Sequence, residues 1–428
     1  MTSYLIFVPS DTRNKEALLW VLRTGFMALN LKKIKADEKE INGYKTIRLE
    51  SGFHTYLSEI DLTEETINKK VFNFNEGGVI ISKAGEDELL TAFYLINCLQ
   101  EFNTAELDGI GRYKFENSYQ KRFNKIEQNY ATFLLEKYFK KYFPMVLDNR
   151  VEEKSTFFLS HDIDSLYGAF LQDGKAALKK GRLDIITRLI VNAVILKPDW
   201  FNIDKILDVE SEYDLRSTFF WIVNKGRVNK ILTNADYDIN SKKVQDTLVS
   251  IKGKGNYIGL HKSISGESFN QEIVKLNKHI VLNRNHYLRF QLPQHFNDLE
   301  KSDIRIDCSL GFAEHYGFRN SLAIPFVPFN LNAAKPYSFL EIPLNIMDGT
   351  FQKYMKIPAE ETSKKIIDFI EKNKVNSVIS VLWHNHFFSS YRFKGYFEPY
   401  EDLLYYIKDK KYNTMSPGQL FNKYYHLK

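Results

Sequence analysis

Phe157-Phe158-Leu159-Ser160-His161-Asp162-Ile163-Asp164 runs from apolar, β-forming residues straight into a histidine and two carboxylates. A strand buried on both faces reads as an uninterrupted apolar run. Polar groups placed where such a strand stops stand at the mouth of an α/β fold, where ligands bind. Asp162 and Asp164 are two residues apart, so on extended chain they share one side. Two carboxylates that close call for a shared proton or a cation. The alternative is an exposed turn with two solvated aspartates.

Downstream the same kind of segment recurs. β-rich runs fall at 155–160, 217–223, 257–260, 287–290, 304–307, 339–346 and 377–383. Helical patterns lie between them at 203–213, 242–252, 269–282 and 360–374. Alternating strands and helices imply a mainly parallel sheet. The expected class is α/β: a distorted or incomplete (β/α) barrel over 149–428, with a doubly wound sheet as runner-up. Upstream, residues 1–148 read as a smaller N-terminal α/β domain. It should have a strand at 4–8, a helix at 15–27, an Asn42-Gly43 hairpin between Ile34 and Leu49, a strand at 79–82, and helices at 87–102 and 125–143.

Composition narrows the function classes. The 428 residues are 44% hydrophobic and 14% aromatic, ample for buried cores. The 59 basic and 53 acidic residues leave +6, too mild over this length to argue for nucleic acid. Two distant cysteines, Cys98 and Cys308, offer no disulfide or metal framework. No signal peptide or transmembrane segment is evident, so a cytoplasmic location is expected. Of the ten histidines only His54 precedes residue 150, which places the chemistry in the second part.

Several of those histidines end strands. His261 closes Tyr257-Ile258-Gly259-Leu260-His261, and His384 and His386 close Ile379-Ser380-Val381-Leu382-Trp383-His384-Asn385-His386. Asp348 follows Pro343-Leu344-Asn345-Ile346-Met347. In a parallel barrel these ends converge, so residues distant in sequence can build one site.

Leu159-Ser160-His161-Asp162-Ile163-Asp164, Gly259-Leu260-His261 and Leu382-Trp383-His384-Asn385 resemble the motifs of polysaccharide deacetylases, over residues 150–428. The resemblance is to a bacterial branch with an accessory N-terminal domain. It implies a metal-dependent hydrolase that removes N-acetyl groups from a sugar or surface-glycan precursor. Asp162 is then the general base, Asp164 and His261 bind a divalent metal for which zinc is the first choice, and His384 protonates the leaving amine. The family's second motif carries another histidine where this chain has Ser265. His286 is the residue proposed to complete the shell, with His161 and His386 as alternatives. Arg289 resembles the arginine that orients the base, with Arg284 competing. Asp307 resembles the carboxylate that orients the acid histidine, with Asp348 as the alternative. Phe312 and Trp383, with Phe387 beside them, could stack on a sugar, although core packing accounts for such aromatics equally well.

The missing histidine leaves two other readings open: a catalytically silent carbohydrate-binding barrel, and a hydrolase of non-sugar amides. The segment 173–200 is basic through Lys175, Lys179, Lys180, Arg182 and Arg188. It is apolar through Ile185, Ile186, Leu189, Ile190, Val191, Val194 and Ile195. It reads either as helices over the site mouth, in peripheral contact with an acidic or lipid-linked glycan, or as an amphipathic helix packed on the barrel.

Overall fold

The computed structural model describes residues 1–48, 55–69, 72–83, 85–194, 198–229, 232–276, 280–389 and 391–425. His54, Leu49 and Ile195 lie outside them. A nine-stranded sheet occupies the second part of the chain. We number its strands β1 (Thr156–Ile163), β2 (Thr218–Trp221), β3 (Tyr257–Lys262), β4 (Leu282–Asn285), β5 (Ile306–Asp307), β6 (Leu340–Glu341), β7 (Ile346–Met347), β8 (Val378–Leu382) and β9 (Asn413–Thr414). Their spatial order is β6-β5-β4-β3-β2-β1-β8-β7, with β9 beside the start of β1. Every pairing is parallel.

The two ends of that order, β6 and β7, are joined by residues 342–345 alone. So short a link spans at most about 18 Å. Eight strands laid flat would separate the same edges by roughly 34 Å. The sheet therefore curls until its edges approach. Main-chain bonds from Ile342 N to Asp307 O and from Asn345 N to Ser380 O stitch the gap. The result is an incomplete (β/α) barrel, with helices Ile203–Glu212, Lys242–Gly253 and Ala359–Lys372 in its strand connections.

Three elements differ from the sequence reading. Residues 287–290 are not a strand; β4 precedes them, and His286–Leu288 form a tight turn with Tyr287 at φ 62°. The run 339–346 is split into β6 and β7. Ile34–Asp37 and Lys45–Arg48 are not a hairpin, because each pairs in parallel with an opposite edge of Tyr4–Phe7. A tight turn at Ile41–Tyr44 lies between them, yet both strands run in the same direction and each bonds to the central strand.

The residues before 150 pack tightly against the barrel. Their apolar side chains join one contiguous cluster running from Ile6 to Tyr424. Trp20 Nε1 donates to Val327 O at 2.8 Å. Arg319 reaches back with Nε donating to Glu101 Oε1 at 3.0 Å and Nη2 to Oε2 at 2.5 Å, both side chains almost fully enclosed. Removing one partner of a buried pair strands the other charge, which costs about 3–5 kcal/mol. Arg319→Met should therefore lower the unfolding free energy by about that amount in denaturant titrations, and adding Glu101→Leu should recover much of it.

Candidate metal centre

β1 carries its polar residues on alternate faces. His161 turns away from the rim: its ring lies 2.6 Å from Trp383 O and 2.9 Å from Glu210 Oε1, fully buried. Asp162 faces inward, and Asp164, one residue past the strand, stands on the same side. Parallel register places His261 of β3 beside Arg284 of β4. His261 Nδ1 donates to the carbonyl of Arg284 at 2.9 Å, which turns Nε2 towards the carboxylates; burial opposes a charge on this ring, but Asp162 and Asp164 outweigh it and raise its pKa. That Nε2 is 3.2 Å from Asp164 Oδ1 and 3.6 Å from Asp162 Oδ2. His286, just past β4, brings its Nε2 to 3.6 Å from the same Asp164 oxygen. Ligand atoms of Asp164, His261 and His286 all lie within 4.8 Å of one another.

These donors fit a divalent cation. Asp164 Oδ1 is buried and accepts no hydrogen bond from the protein. Burial opposes charge on Asp164, but His286, His261 and His384 outweigh it and hold the carboxyl well below the usual carboxylate range. Burial pulls His286 down to about 4, so its imidazole is neutral, as a ligand must be. One carboxylate and two imidazoles are a donor set suited to a divalent transition metal.

Acid and base groups flank this trio. Asp162 is buried and accepts from Arg284 Nη1 at 2.9 Å. Arg284 is fixed by Ser160 Oγ, by Cys308 O and by the Phe220 ring beneath it. On the other side His384 Nε2 lies 3.6 Å from Asp164 Oδ2, while its Nδ1 donates to Asp348 Oδ1 at 2.7 Å. Asp348 also accepts the main-chain N–H of His384. Burial opposes a charge on His384, yet Asp348 and then Asp164 push its pKa up to about 10.

No protein-family model matches the chain, and no curated protein does. Polysaccharide deacetylases are among the solved structures it is similar to. One from Bacillus cereus shares 14% identity over 62% of this chain and 94% of its own, with a TM-score of 0.32. The chitin deacetylase of Colletotrichum lindemuthianum shares 13% over 63% and 88%, at 0.31. A 4-alpha-glucanotransferase from Thermococcus litoralis shares 12% over 64% and 41%, at 0.40. Likeness at this level carries no argument about chemistry.

Four expected positions are corrected by the geometry. Arg289 does not reach Asp162; its Nε donates to Ile110 O, because the turn at 286–288 swings it outward, and Arg284 takes the place beside Asp162. Asp307 does not face His384; it accepts from His295 Nε2 at 2.9 Å and from Asn283. Burial, and then the Asp307 charge beside it, push the Glu341 carboxyl well above the usual carboxylate range. Phe312 is buried, covering Arg319 with its ring 4.7 Å from the guanidinium. Trp383 is fully buried and donates Nε1 to Tyr396 O. Neither offers a face to a sugar. Ser265 bonds with Asn224, Ser263 and Glu272, outside the trio. His386 packs on Trp200, and burial together with the His384 charge pulls it down to about 3.

One contributor has no precedent in the sequence reading. Arg112, from the chain before the barrel, is anchored through Nε and Nη2 on Asp108 Oδ2 and donates Nη1 to Tyr287 O and Tyr354 OH. Arg289 returns the contact to Ile110 O. This two-way clamp holds Tyr287 and Leu288, both at positive φ (62° and 52°), directly after His286. Left-handed backbone in bulky residues costs roughly 1–2 kcal/mol each and persists only where neighbours enforce it.

The Asp348–His384 pair generates a pH prediction. A histidine with a raised native pKa adds stability that is present in full below its ordinary value and fades as pH climbs towards about 10. Asp348→Asn should bring the His384 imidazole titration down towards the ordinary range by NMR and flatten that part of the stability profile. Asp307→Asn should leave the His384 titration in place.

Proposed function

We propose that the chain is a metal-dependent hydrolase that removes N-acetyl groups from a sugar or surface-glycan precursor. The observation that carries this reading is the convergence of Asp164, His261 and His286 within 4.8 Å, with Asp162 on one side and a doubly anchored His384 on the other. Asp164, His261 and His286 would hold a divalent cation, zinc by the character of the set, which would supply Lewis acidity to an acyl oxygen and to a water.

The protein's own groups divide the remaining work. Asp162, oriented by Arg284, accepts the proton of the attacking water. His384, charged on Nε2 and steadied by Asp348, donates to the departing amine nitrogen. The Asp162 and His384 side chains are held by buried partners, so little reorganisation accompanies the reaction. With His286 in place, two imidazoles and a carboxylate are available without any help from Ser265. The motif resemblance supports an N-acetylated carbohydrate as the substrate.

Purified full-length protein should carry about one zinc per chain, and Asp164→Ala should lose it. Wild type should release acetate from N-acetylglucosamine oligomers, stop on chelation and resume on zinc addition. Asp162→Asn should retain zinc and lose about 10²–10⁴-fold in turnover. A folded wild-type protein that binds no divalent metal would sink the proposal. Oligomer binding without turnover, or turnover of small linear amides alone, would redirect it to a silent lectin-like barrel or to a non-sugar amidase.

A further inference from the structure

Directly after Asp164 the chain leaves the rim and forms two helices, Gly174–Lys179 and Leu183–Val194, before returning at Trp200. The second helix is anchored through one face, where Ile185 and Leu189 are buried. At 100° per residue, Leu183, Ile190, Val191 and Val194 fall within a separate arc about 100° wide. All four are exposed: Leu183 by 70%, Ile190 by 49%, Val191 by 50% and Val194 by 75%. Leu178 on the preceding helix adds another exposed apolar side chain, at 69%. An apolar stripe turned to solvent on a helix already anchored by its other side marks a contact surface.

The charges around it identify what fits. Lys175, Lys179 and Lys180 are exposed, and none forms an ion pair among the described residues. The acidic groups of the segment are already engaged. Asp184 pairs with Arg182 and Asp199 with Arg188, while Asp173 is buried under Trp200 Nε1. Arg392, which donates to Gln172, adds a further cation beside the first helix. Free lysines beside exposed leucine, isoleucine and valine are the composition of a helix that lies in a membrane interface. No described helix is long and apolar enough to cross a membrane, so the contact is with a surface.

We propose that helices 174–179 and 183–194 dock the protein on a bilayer with anionic headgroups. The apolar arc enters the headgroup boundary, and the lysines face the acidic lipids. Trp200, packed against His386, and Asn385, which donates to Ser165 O and Trp200 O, tie this segment to the wall of the metal centre. Docking therefore presents the open rim to whatever the membrane surface carries.

Vesicle co-sedimentation of the full chain tests this without relying on hydrolysis. Wild type should pellet with phosphatidylcholine vesicles containing phosphatidylglycerol, far less with phosphatidylcholine alone, and less as salt rises. The pair Val191→Glu and Val194→Glu should abolish the association. Changing Lys175, Lys179 and Lys180 together to Gln should weaken it on the order of a hundredfold, given roughly fivefold per lysine. Both variants should keep wild-type melting temperature, zinc content and acetate release from soluble oligomers, so that a failure here leaves the hydrolase reading standing. Absence of vesicle binding by wild type, or equal binding by the variants, would overturn the proposal. So would a dimer, seen by light scattering, that Val194→Glu dissolves.

Discussion

The link between Glu341 and Ile346 is too short to cross an open sheet, and this constraint sets the rest of the molecule. Because β6 and β7 must stay within its reach, the parallel strands between them curl, and their carboxyl ends lean towards one another. Asp164 after β1, His261 in β3, His286 after β4, Asp348 after β7 and His384 after β8 are brought together by that curvature alone. The nearest two of these five in sequence, His261 and His286, are 25 residues apart, so the fold and not local chain geometry supplies the meeting.

Charge taken inside such a rim has to be answered by charge. Asp162 has Arg284, His384 has Asp348, Asp307 has His295, and Arg319 has Glu101. Each pair has at least one member that is almost completely enclosed, where an uncompensated ion would be costly. Asp164 differs, since one of its oxygens meets only imidazole edges and accepts no hydrogen bond. It is the one member of the group whose surroundings are arranged for an added cation. The residues before 150 share in this arrangement, because the Arg112–Tyr287 and Arg289–Ile110 contacts brace the strained turn that carries His286.

Much of the barrel was legible beforehand. Long apolar runs such as 155–160 and 377–383 and amphipathic helices such as 203–213, 242–252 and 360–374 follow from residue periodicity, which survives whatever the chain packs against. Two-residue strands such as β5, β6 and β7 leave almost no periodic signal. Residues 287–290 carry a strand signal because Tyr287, Leu288 and Phe290 favour extended backbone, whereas the left-handed turn there is braced by contacts with Arg112 and Ile110 that are far away in sequence.

The amino-acid order by itself determined that an α/β barrel has carboxylates and histidines at its strand ends, because strand type and side alternation are local properties. Tertiary structure alone decided which of them face each other. Arg284 rather than Arg289 meets Asp162, Asp348 rather than Asp307 meets His384, and Phe312 and Trp383 belong to the interior. Those choices depend on strand register and on the curl of the sheet, and both are fixed by contacts between segments far apart in the chain.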